Sequence, residues 1–157
     1  SGGGLDTAFL GFGQIDREGN VNVSRLAGVT VGPGGFIDIA QNARKVIFCG
    51  TFDTKGGEIK TGHGKLELIK PGKVCKFVES VDQITFSGKQ ALVQGQVVLY
   101  VTERAVFSLS KGGLELVEIA PGVEMERDVI DQMEFKPLIS ESIGTMNPKF
   151  FVDEEHA

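Results

Sequence analysis

The stretch from Gly28 to Gly50 constrains the fold of this chain more than any other part of its sequence. It begins with a glycine-rich turn around Pro33, where the chain bends and no side chain blocks approach to the backbone. Apolar residues then recur at helical spacing over residues 36–43, which predicts an amphipathic helix of about two turns. The apolar run over residues 45–50 follows directly and predicts an interior β-strand.

A helix that begins after such a turn presents backbone N–H groups, and the positive end of its dipole, to an anion. Gly34 and Gly35 are the residues placed at that point. A glycine-rich loop that only joins two core elements would leave the same local pattern. The function therefore has to be argued from more than this loop.

The second half of the chain predicts consecutive short strands in a mostly antiparallel arrangement. These strands are Glu58–Thr61, Lys65–Ile69, Val74–Val78, Gln83–Phe86, Val97–Val101, Ala105–Leu109 and Leu114–Ile119. An earlier strand is predicted over Leu5–Phe12, and a helix over Val123–Glu134 is followed by an irregular remainder. The predicted fold is an α/β one: an open sheet with a glycine loop and helix, a mostly antiparallel β portion and a C-terminal helix, in a single domain spanning residues 1–157.

Composition excludes several classes of function. A net charge of −5 with scattered lysines and arginines argues against nucleic acid as a partner. No apolar run approaches the roughly 20 residues of a membrane span. His63 and His156 are isolated and the two cysteines, Cys49 and Cys75, are far apart, so neither a metal site nor a catalytic triad is predicted. Two cysteines without an export signal are typical of free thiols in the cytoplasm.

Two charged residues beside predicted strands are candidates for chemistry. Glu103 lies between two apolar strands next to Arg104, where a carboxylate paired with its neighbours or with solvent is the more common case. Lys55 directly follows the predicted interior strand, at a place where open α/β sheets commonly bind ligands. It could meet a phosphate or carboxylate, or it could be a solvated loop lysine beside Asp53.

Several spaced motifs together resemble one known family. The segments are GGGLDTAFLGFGQIDREGNVNVS, GPGGFIDIAQNARKVIFCGTF, QVVLYVTERAVFSL and GLELVEIAPGVEMERDVIDQMEF. They resemble the C-terminal, β-type half of class I coenzyme A (CoA) transferases, and most of all the fused-chain acetate or short-chain acyl-CoA transferases. The resemblance covers the chain from Gly2 to about Phe151.

The resemblance implies a two-half enzyme that moves CoA between short-chain acyl-CoA and acetate-like carboxylic acids. In that family a glutamate attacks the thioester, forming an anhydride and then a glutamyl-CoA thioester that a second carboxylate resolves. It implies backbone N–H groups at Gly34 or Gly35 as oxyanion donors, Lys55 as a CoA contact, no tightly bound cofactor and a homo-oligomer. Spacing does not choose between the two glycines.

The chain departs from the family pattern at one important point. The family's catalytic glutamate belongs to a Glu-Ser-Gly or Glu-Asn-Gly segment upstream of GGGLD, and these residues contain no such segment. We therefore expect a truncated, cleaved or separately crystallised part of a larger enzyme, inactive alone, whose partner is the missing N-terminal half. The alternative is a nonenzymatic CoA-transferase-like binding module without its nucleophile.

Overall fold

A computed structural model describes residues 6–23, 40 and 42–151 of the chain. Strands dominate the described residues: β1 (Thr7–Gly11), β2 (Gln14–Asp16), β3 (Val21–Asn22), β4 (Lys45–Cys49), β5 (Asp53–Thr54), β6 (Glu58–Gly62), β7 (Lys65–Lys70), β8 (Val74–Cys75), β9 (Phe77–Val78), β10 (Val97–Val101), β11 (Ala105–Ser110), β12 (Gly113–Ile119) and β13 (Leu138–Thr145). The helical elements are α1 (Gly88–Val93), a π-helical turn (Met125–Val129) and two 3-10 turns (Ile130–Gln132 and Pro148–Phe151).

The largest sheet in the described part of the chain has six strands in the order β1-β4-β10-β11-β12-β13. Its first three strands run parallel, and we call β1, β4 and β10 the parallel half. Strands β11 and β12 continue antiparallel and form the antiparallel half, while β13 returns parallel to β12 at the edge. The sheet is therefore mixed, which confirms the predicted α/β class with a mostly antiparallel second portion.

One side of this sheet, the core face, carries the main hydrophobic core. Phe48 of β4 stacks on Tyr100 of β10 with ring centroids 5.6 Å apart, and meets Phe86 edge-on at 5.0 Å. Phe107 of β11 continues the same layer and lies 4.9 Å from Phe77 of β9. The buried Tyr100 hydroxyl donates to the Gly19 carbonyl at 2.7 Å, which ties the large sheet to the turn after β2. Burial raises the pKa of the Tyr100 phenol, so it remains a neutral donor.

Smaller sheets pack around this core within the described residues. Strands β3, β2 and β9 form one, β5 pairs with β8 in another, and β6 with β7 makes a hairpin. The hairpin turn at His63 and Gly64 has positive φ at both residues, 55° and 75°, as a tight two-residue turn requires. The predicted turn over residues 61–64 is therefore confirmed.

Most predicted strands are confirmed, but several elements differ from the prediction. Val74–Val78 is divided into β8 and β9, and β2, β5, β13 and α1 were not predicted. The strand predicted over Gln83–Phe86 is wrong: a single bridge joins Val21 to Phe86. The Thr85 hydroxyl bonds the backbone of Val21 and Val23 and so takes the place of a continued ladder.

The C-terminal helix predicted over Val123–Glu134 exists in a looser form, as the π-helical turn followed directly by a 3-10 turn. The backbone leaves regular helical geometry at Val129, where φ is −120° and ψ is −68°. Asp128 turns its carboxylate back to accept the Glu124 N–H at 2.9 Å, while its carbonyl accepts from Arg104. Those two contacts explain the interrupted helix.

The helix predicted over residues 36–43 lies largely outside the described residues. Residues 40 and 42 are helical, and Ala40 and Ala43 are buried on the core face. The Gln96 side chain donates to both of their carbonyls, at 2.6 and 2.8 Å. Within the described ranges, no helix has the length and apolar character needed to cross a membrane.

Candidate functional site

The loops that follow β1, β4 and β10 come together at the carboxyl edge of the parallel half. Gly50, after β4, donates its N–H to the Val101 carbonyl at 3.1 Å. Phe52 donates its N–H to Oε1 of Glu103, in the loop after β10, at 2.8 Å. Open α/β sheets commonly bind ligands at this edge, because the loops there are free to vary while the strands hold them in place.

Glu103 has both carboxylate oxygens occupied. Oε1 accepts the Phe52 N–H, and Oε2 accepts from Nε of Arg104 at 2.7 Å. The interpretation of Glu103 as a locally paired carboxylate is confirmed by these contacts. Its observed contacts hold the loop after β4 against the loop after β10.

Arg104 is the centre of this edge and is only 1% exposed. Its guanidinium lies over the Phe52 ring, 4.4 Å from the centroid, and one terminal nitrogen donates to the Asp128 carbonyl at 3.2 Å. The other terminal nitrogen lies 3.5 Å from Oδ2 of Asp53. Since a buried guanidinium requires such partners, Arg104 locks three loops together. Sequence reasoning noted it only as a neighbour of Glu103, although a charged pair between two apolar strands was a usable signal.

Asp53 connects this cluster to the loop between β7 and β8. Its Oδ2 accepts the Gly72 N–H at 2.8 Å. A side chain at Gly72 would meet the Thr54 carbonyl at 2.6 Å, so glycine is required by the close approach of the two loops. The loop after β4 is thus fixed on both sides, by Glu103 and by Gly72.

Lys76 is a second buried cation at the same edge and is 7% exposed. Its Nζ donates to Oγ1 of Thr51 at 2.9 Å and lies 5.1 Å from the centre of the Phe12 ring. Burial lowers the pKa of the Lys76 ammonium from its ordinary 10.5, while the charges of Glu103 and Asp53 act in the opposite direction. Sequence reasoning missed Lys76 because it lies within a predicted strand, between Cys75 and Phe77, and nothing in the pattern marks it.

Lys55 lies at the open side of the cluster. It is exposed and has a left-handed backbone, with φ 64°, followed by Gly56 at φ 81°. Its carbonyl accepts the Lys73 N–H at 2.8 Å, which holds this unusual conformation in place. A cavity of about 390 Å³ is lined here by Thr51, Asp53, Thr54, Lys55, Gly56, Gly57, Glu58, Ile59, Glu103 and Arg104.

The structure therefore brings Lys55 and Glu103 to one cavity, beside Arg104. Gly34 and Gly35, the candidate oxyanion donors, lie outside the described residues. Among the described residues, no group of three histidine, cysteine or acidic side chains lies close enough to hold a metal ion. An anion in this cavity could contact the Lys55 ammonium. Asp53, Glu103 and Arg104, which also line the cavity, are paired with one another.

Sequence comparison finds close relatives among known CoA-transferases. The chain is 46% identical over 152 residues to the acetate CoA-transferase YdiF of Escherichia coli O157:H7, covering 97% of this chain and 29% of that protein. It is 45% identical over 158 residues to the caffeate CoA-transferase of Acetobacterium woodii, with coverages of 98% and 30%. It is 33% identical over 126 residues to the acetate CoA-transferase subunit beta of Haemophilus influenzae, with coverages of 80% and 47%.

The chain thus spans about 30% of the length of the first two relatives and about half of the third. No protein-family model matches it. All of these relatives are named as CoA-transferases or as a subunit of one.

Solved structures agree with the sequence relatives. The acyl-CoA transferase YdiF apoenzyme from Escherichia coli O157:H7 matches with a TM-score of 0.89 over 97% of this chain and 30% of that one, at 46% identity. Glutaconate CoA-transferase from Acidaminococcus fermentans matches with a TM-score of 0.60 over 96% of this chain and 60% of that one; its 18% identity shows a shared fold alone. On the close matches of sequence and fold to YdiF, the chain belongs to the coenzyme A transferase family, within its β-type half.

Proposed function

We propose that these residues are one domain of a longer enzyme that moves CoA between short-chain acyl-CoA and acetate-like carboxylic acids. The observation that carries the proposal is the 46% identity to YdiF over 97% of the chain, together with the matching fold. The proposed substrates and the proposed partner segment are inferred from this similarity to YdiF. In this proposal the nucleophilic glutamate is supplied by a part of the protein outside these 157 residues.

The proposed chemistry divides one acyl exchange into steps with a common nucleophile. The glutamate carboxylate attacks the thioester carbonyl and displaces the CoA thiolate, which leaves a mixed anhydride. The thiolate then attacks the glutamyl carbonyl, releases the first acid as its carboxylate and forms a glutamyl-CoA thioester. A second carboxylate repeats the two steps in reverse and leaves as the new acyl-CoA.

Each attack places negative charge on a carbonyl oxygen. Backbone N–H groups at Gly34 and Gly35 are proposed to stabilise that oxygen, because a glycine-rich turn at a helix start presents such groups without side-chain obstruction. A preorganised donor of this kind is worth about 3–4 kcal/mol in the transition state, or roughly a hundredfold or more in rate. Gly35→Ala in the full-length enzyme keeps the N–H group but adds a methyl group that would crowd the anion site, so kcat should fall; unchanged turnover would remove that glycine from the mechanism.

Lys55 is proposed to contact CoA. Its ammonium stands on an exposed loop beside a cavity, while the buried charges behind it already have partners. CoA carries several phosphate oxygens, so a lysine at the cavity rim has a suitable anion to bind. The role of Glu103 and Arg104 in this proposal is to hold the loop that carries Lys55.

The location proposed with this function is the cytoplasm, because both Cys49 and Cys75 carry free thiols, as in a reducing compartment. The assembly proposed is a homo-oligomer of the full-length enzyme. CoA is its substrate rather than a tightly bound cofactor.

The direct test is to trap the covalent intermediate in the full-length protein. The enzyme is mixed with acetyl-CoA, quenched in acid, digested and mapped by mass spectrometry. We expect CoA joined as a thioester to a glutamate in a peptide outside these 157 residues, and loss of the adduct when acetate is added before the quench.

Glu103→Gln is the matched control, because it removes a carboxylate of the cluster that the proposal leaves out of the chemistry. The variant should still form the adduct. Absence of any adduct in the wild-type protein would favour a nonenzymatic binding module. An adduct on Glu103 itself would overturn the assignment of the nucleophile.

A further inference from the structure

Lys55 has a backbone conformation that lysine rarely adopts. Its φ is 64°, and the described part of the chain holds one other non-glycine residue with positive φ, His63 in the tight turn between β6 and β7. The left-handed region is unfavourable for any residue with a Cβ, because that atom then crowds the following carbonyl oxygen. Such strain persists only where neighbouring structure imposes it, and it is concentrated at functional sites. The conformation of Lys55 therefore needs a neighbour that holds it.

The loop between β7 and β8 is that neighbour. Strands β5 and β8 pair antiparallel, so the turn that follows β5 lies beside the loop that precedes β8. The Lys55 carbonyl accepts the Lys73 N–H at 2.8 Å. Oδ2 of Asp53 accepts the Gly72 N–H, also at 2.8 Å. Two consecutive N–H groups of the loop are thus bound by the segment that carries Lys55.

The Asp53 side chain fills a narrow space between two glycines. A Cβ on Gly72 would lie 2.7 Å from Oδ1 of Asp53, and a Cβ on Gly57 would lie 3.3 Å from the same oxygen. The Cβ on Gly57 would also lie 3.1 Å from the Gly72 nitrogen. Asp53 and Gly57 therefore both lie against Gly72, and the three residues between them, 54–56, have to reverse direction within a short turn. This close approach imposes the positive φ of Lys55.

Asp53 and Lys55 both line the cavity of about 390 Å³, but they suit different roles there. A phosphate is attracted by the Lys55 ammonium and repelled by a carboxylate. The Asp53 carboxylate already faces Arg104, whose terminal nitrogen lies 3.5 Å from Oδ2, and the same oxygen holds the Gly72 N–H. Asp53 is therefore suited to fix the turn that carries Lys55 and not to contact an anionic ligand itself.

We propose that Asp53 is a positioning residue for CoA binding. By accepting the Gly72 N–H, its carboxylate holds the turn in which Lys55 is left-handed, and this conformation keeps the Lys55 ammonium at the cavity. The inference rests on the proposed function in one respect, that Lys55 contacts CoA. The backbone strain at Lys55 then has a use, because a lysine stands where glycine would fit more easily.

A double-mutant cycle on the full-length protein tests the inference, with CoA affinity measured by isothermal titration. Asp53→Ala should raise the Kd for CoA about fivefold, the effect expected from the loss of one hydrogen bond. Asp53→Asn loses the same charge but keeps an oxygen that can accept the Gly72 N–H, so its Kd should stay within about twofold of the wild-type value. In a Lys55→Ala background, Asp53→Ala should change the Kd less than about twofold, because the residue that Asp53 positions is absent.

Three results of the cycle would overturn the inference. Equal losses of affinity in Asp53→Ala and Asp53→Asn would assign the effect to the charge beside Arg104. A loss that persists at full size in the Lys55→Ala background would show that Asp53 acts independently of Lys55. An unchanged Kd in Asp53→Ala would show that Lys55 needs no such support.

Glu134→Ala is the matched control. Glu134 also accepts a backbone N–H from a distant loop, that of Glu79 at 3.0 Å, but it does not line the cavity. Its removal should leave the Kd for CoA unchanged. A loss equal to that of Asp53→Ala would mean that weakening any loop contact of this kind lowers the affinity, which also contradicts the inference.

Unfolding measurements test the strain at Lys55 without CoA. Lys55→Gly and Lys55→Ala both remove the ammonium, but glycine adopts a φ of 64° without a steric clash. Lys55→Gly should therefore unfold at a higher urea concentration than Lys55→Ala. An equal or lower midpoint in the glycine variant would contradict the strained turn.

The cycle also separates this inference from the proposed function. An unchanged Kd in Lys55→Ala would contradict the proposed CoA contact and this inference with it. A loss of about tenfold in Lys55→Ala, beside an unchanged Kd in Asp53→Ala, would contradict this inference alone.

Discussion

The parallel and antiparallel halves of the large sheet have the same core face and different outer faces. On the core face Phe48 of the parallel half and Phe107 of the antiparallel half are both completely buried in one aromatic layer. On the other side of the sheet, the outer face, Phe9, Ile47 and Leu99 lie side by side on the parallel half. The same row continues through Ser108 and Glu115 on the antiparallel half and ends at the exposed Leu138 of β13. An antiparallel sheet can leave one face in water, and a parallel one rarely does.

The two halves also differ in the position of their charged side chains. The buried cations Arg104 and Lys76 both lie at the carboxyl edge of the parallel half, with Asp53 and Glu103 beside them. The turn between β11 and β12, at the other half, carries the exposed Lys111 instead. The buried charged side chains are therefore concentrated at the edge where the proposed CoA contact, Lys55, also lies.

The largest expected effect is at the hydrophobic core that the two halves of the sheet share. Phe48→Ala and Phe107→Ala should each lower the free energy of unfolding of the full-length protein by about 3–5 kcal/mol, because each leaves a cavity in the shared core. Chemical denaturation followed by circular dichroism measures the loss. A loss below about 1 kcal/mol for either variant would show that its half does not share the core.

The next largest effect is expected at one pair of residues, and it distinguishes the outer face of the parallel half from that of the antiparallel half. Leu99 and Ser108 lie directly opposite each other on β10 and β11. Leu99→Asn should lower the free energy of unfolding of the full-length protein by about 1–2 kcal/mol, because Leu99 is half-buried beside Ile47 and the polar amide replaces an apolar side chain there. Ser108→Asn is the matched control, since it exchanges one polar side chain for another, and should change it by less than about 0.5 kcal/mol. Equal small effects would mean that the two outer faces are alike.

A smaller effect is expected at the carboxyl edge. Lys55→Ala should weaken CoA binding about tenfold, or about 1.4 kcal/mol, by removing a charge-assisted contact with phosphate. Lys111→Ala removes a lysine from the turn of the antiparallel half and should leave CoA affinity unchanged. Isothermal titration of the full-length protein with CoA measures both. An unaltered affinity in Lys55→Ala would return Lys55 to the role of a solvated loop residue.

The smallest effect is a pH dependence. Burial lowers the pKa of Lys76, so between that lowered pKa and 10.5 the unfolded chain holds more protons than the native one. Stability contributed through this group therefore rises with pH across that window. Lys76→Met should lack the rise, and chemical denaturation of both proteins at a series of pH values below 10.5 measures it. Identical pH slopes for the wild type and the variant would contradict the assigned pKa direction.

The sequence was sufficient where a local pattern coincided with the tertiary structure. Lys45–Cys49 has an apolar centre with the β-branched Val46 and Ile47, and it does form an interior strand between β1 and β10. Helix α1 also had a usable signal that was overlooked: Ser87 accepts the Gln90 N–H at 3.1 Å, and Ser followed three residues later by Gln is the start of a capping box.

Other features depend on partners distant in the sequence. β13 alternates poorly, with Ser140, Glu141 and Ser142 at its centre, and it forms because β12 offers an edge to pair with. The residues 83–86 have a strand-like composition, but the Thr85 hydroxyl bonds to β3 and limits the pairing to one bridge. Apart from the adjacent Glu103, the partners of Arg104 and Lys76 lie 24 to 51 residues away along the chain, so spacing could not reveal the charged cluster.

A crystal structure of the full-length protein with CoA bound would test the central claim most directly. We expect CoA in the cavity beside Lys55, at the carboxyl edge of the parallel half. CoA bound against the antiparallel half, away from Lys55, would contradict this expectation.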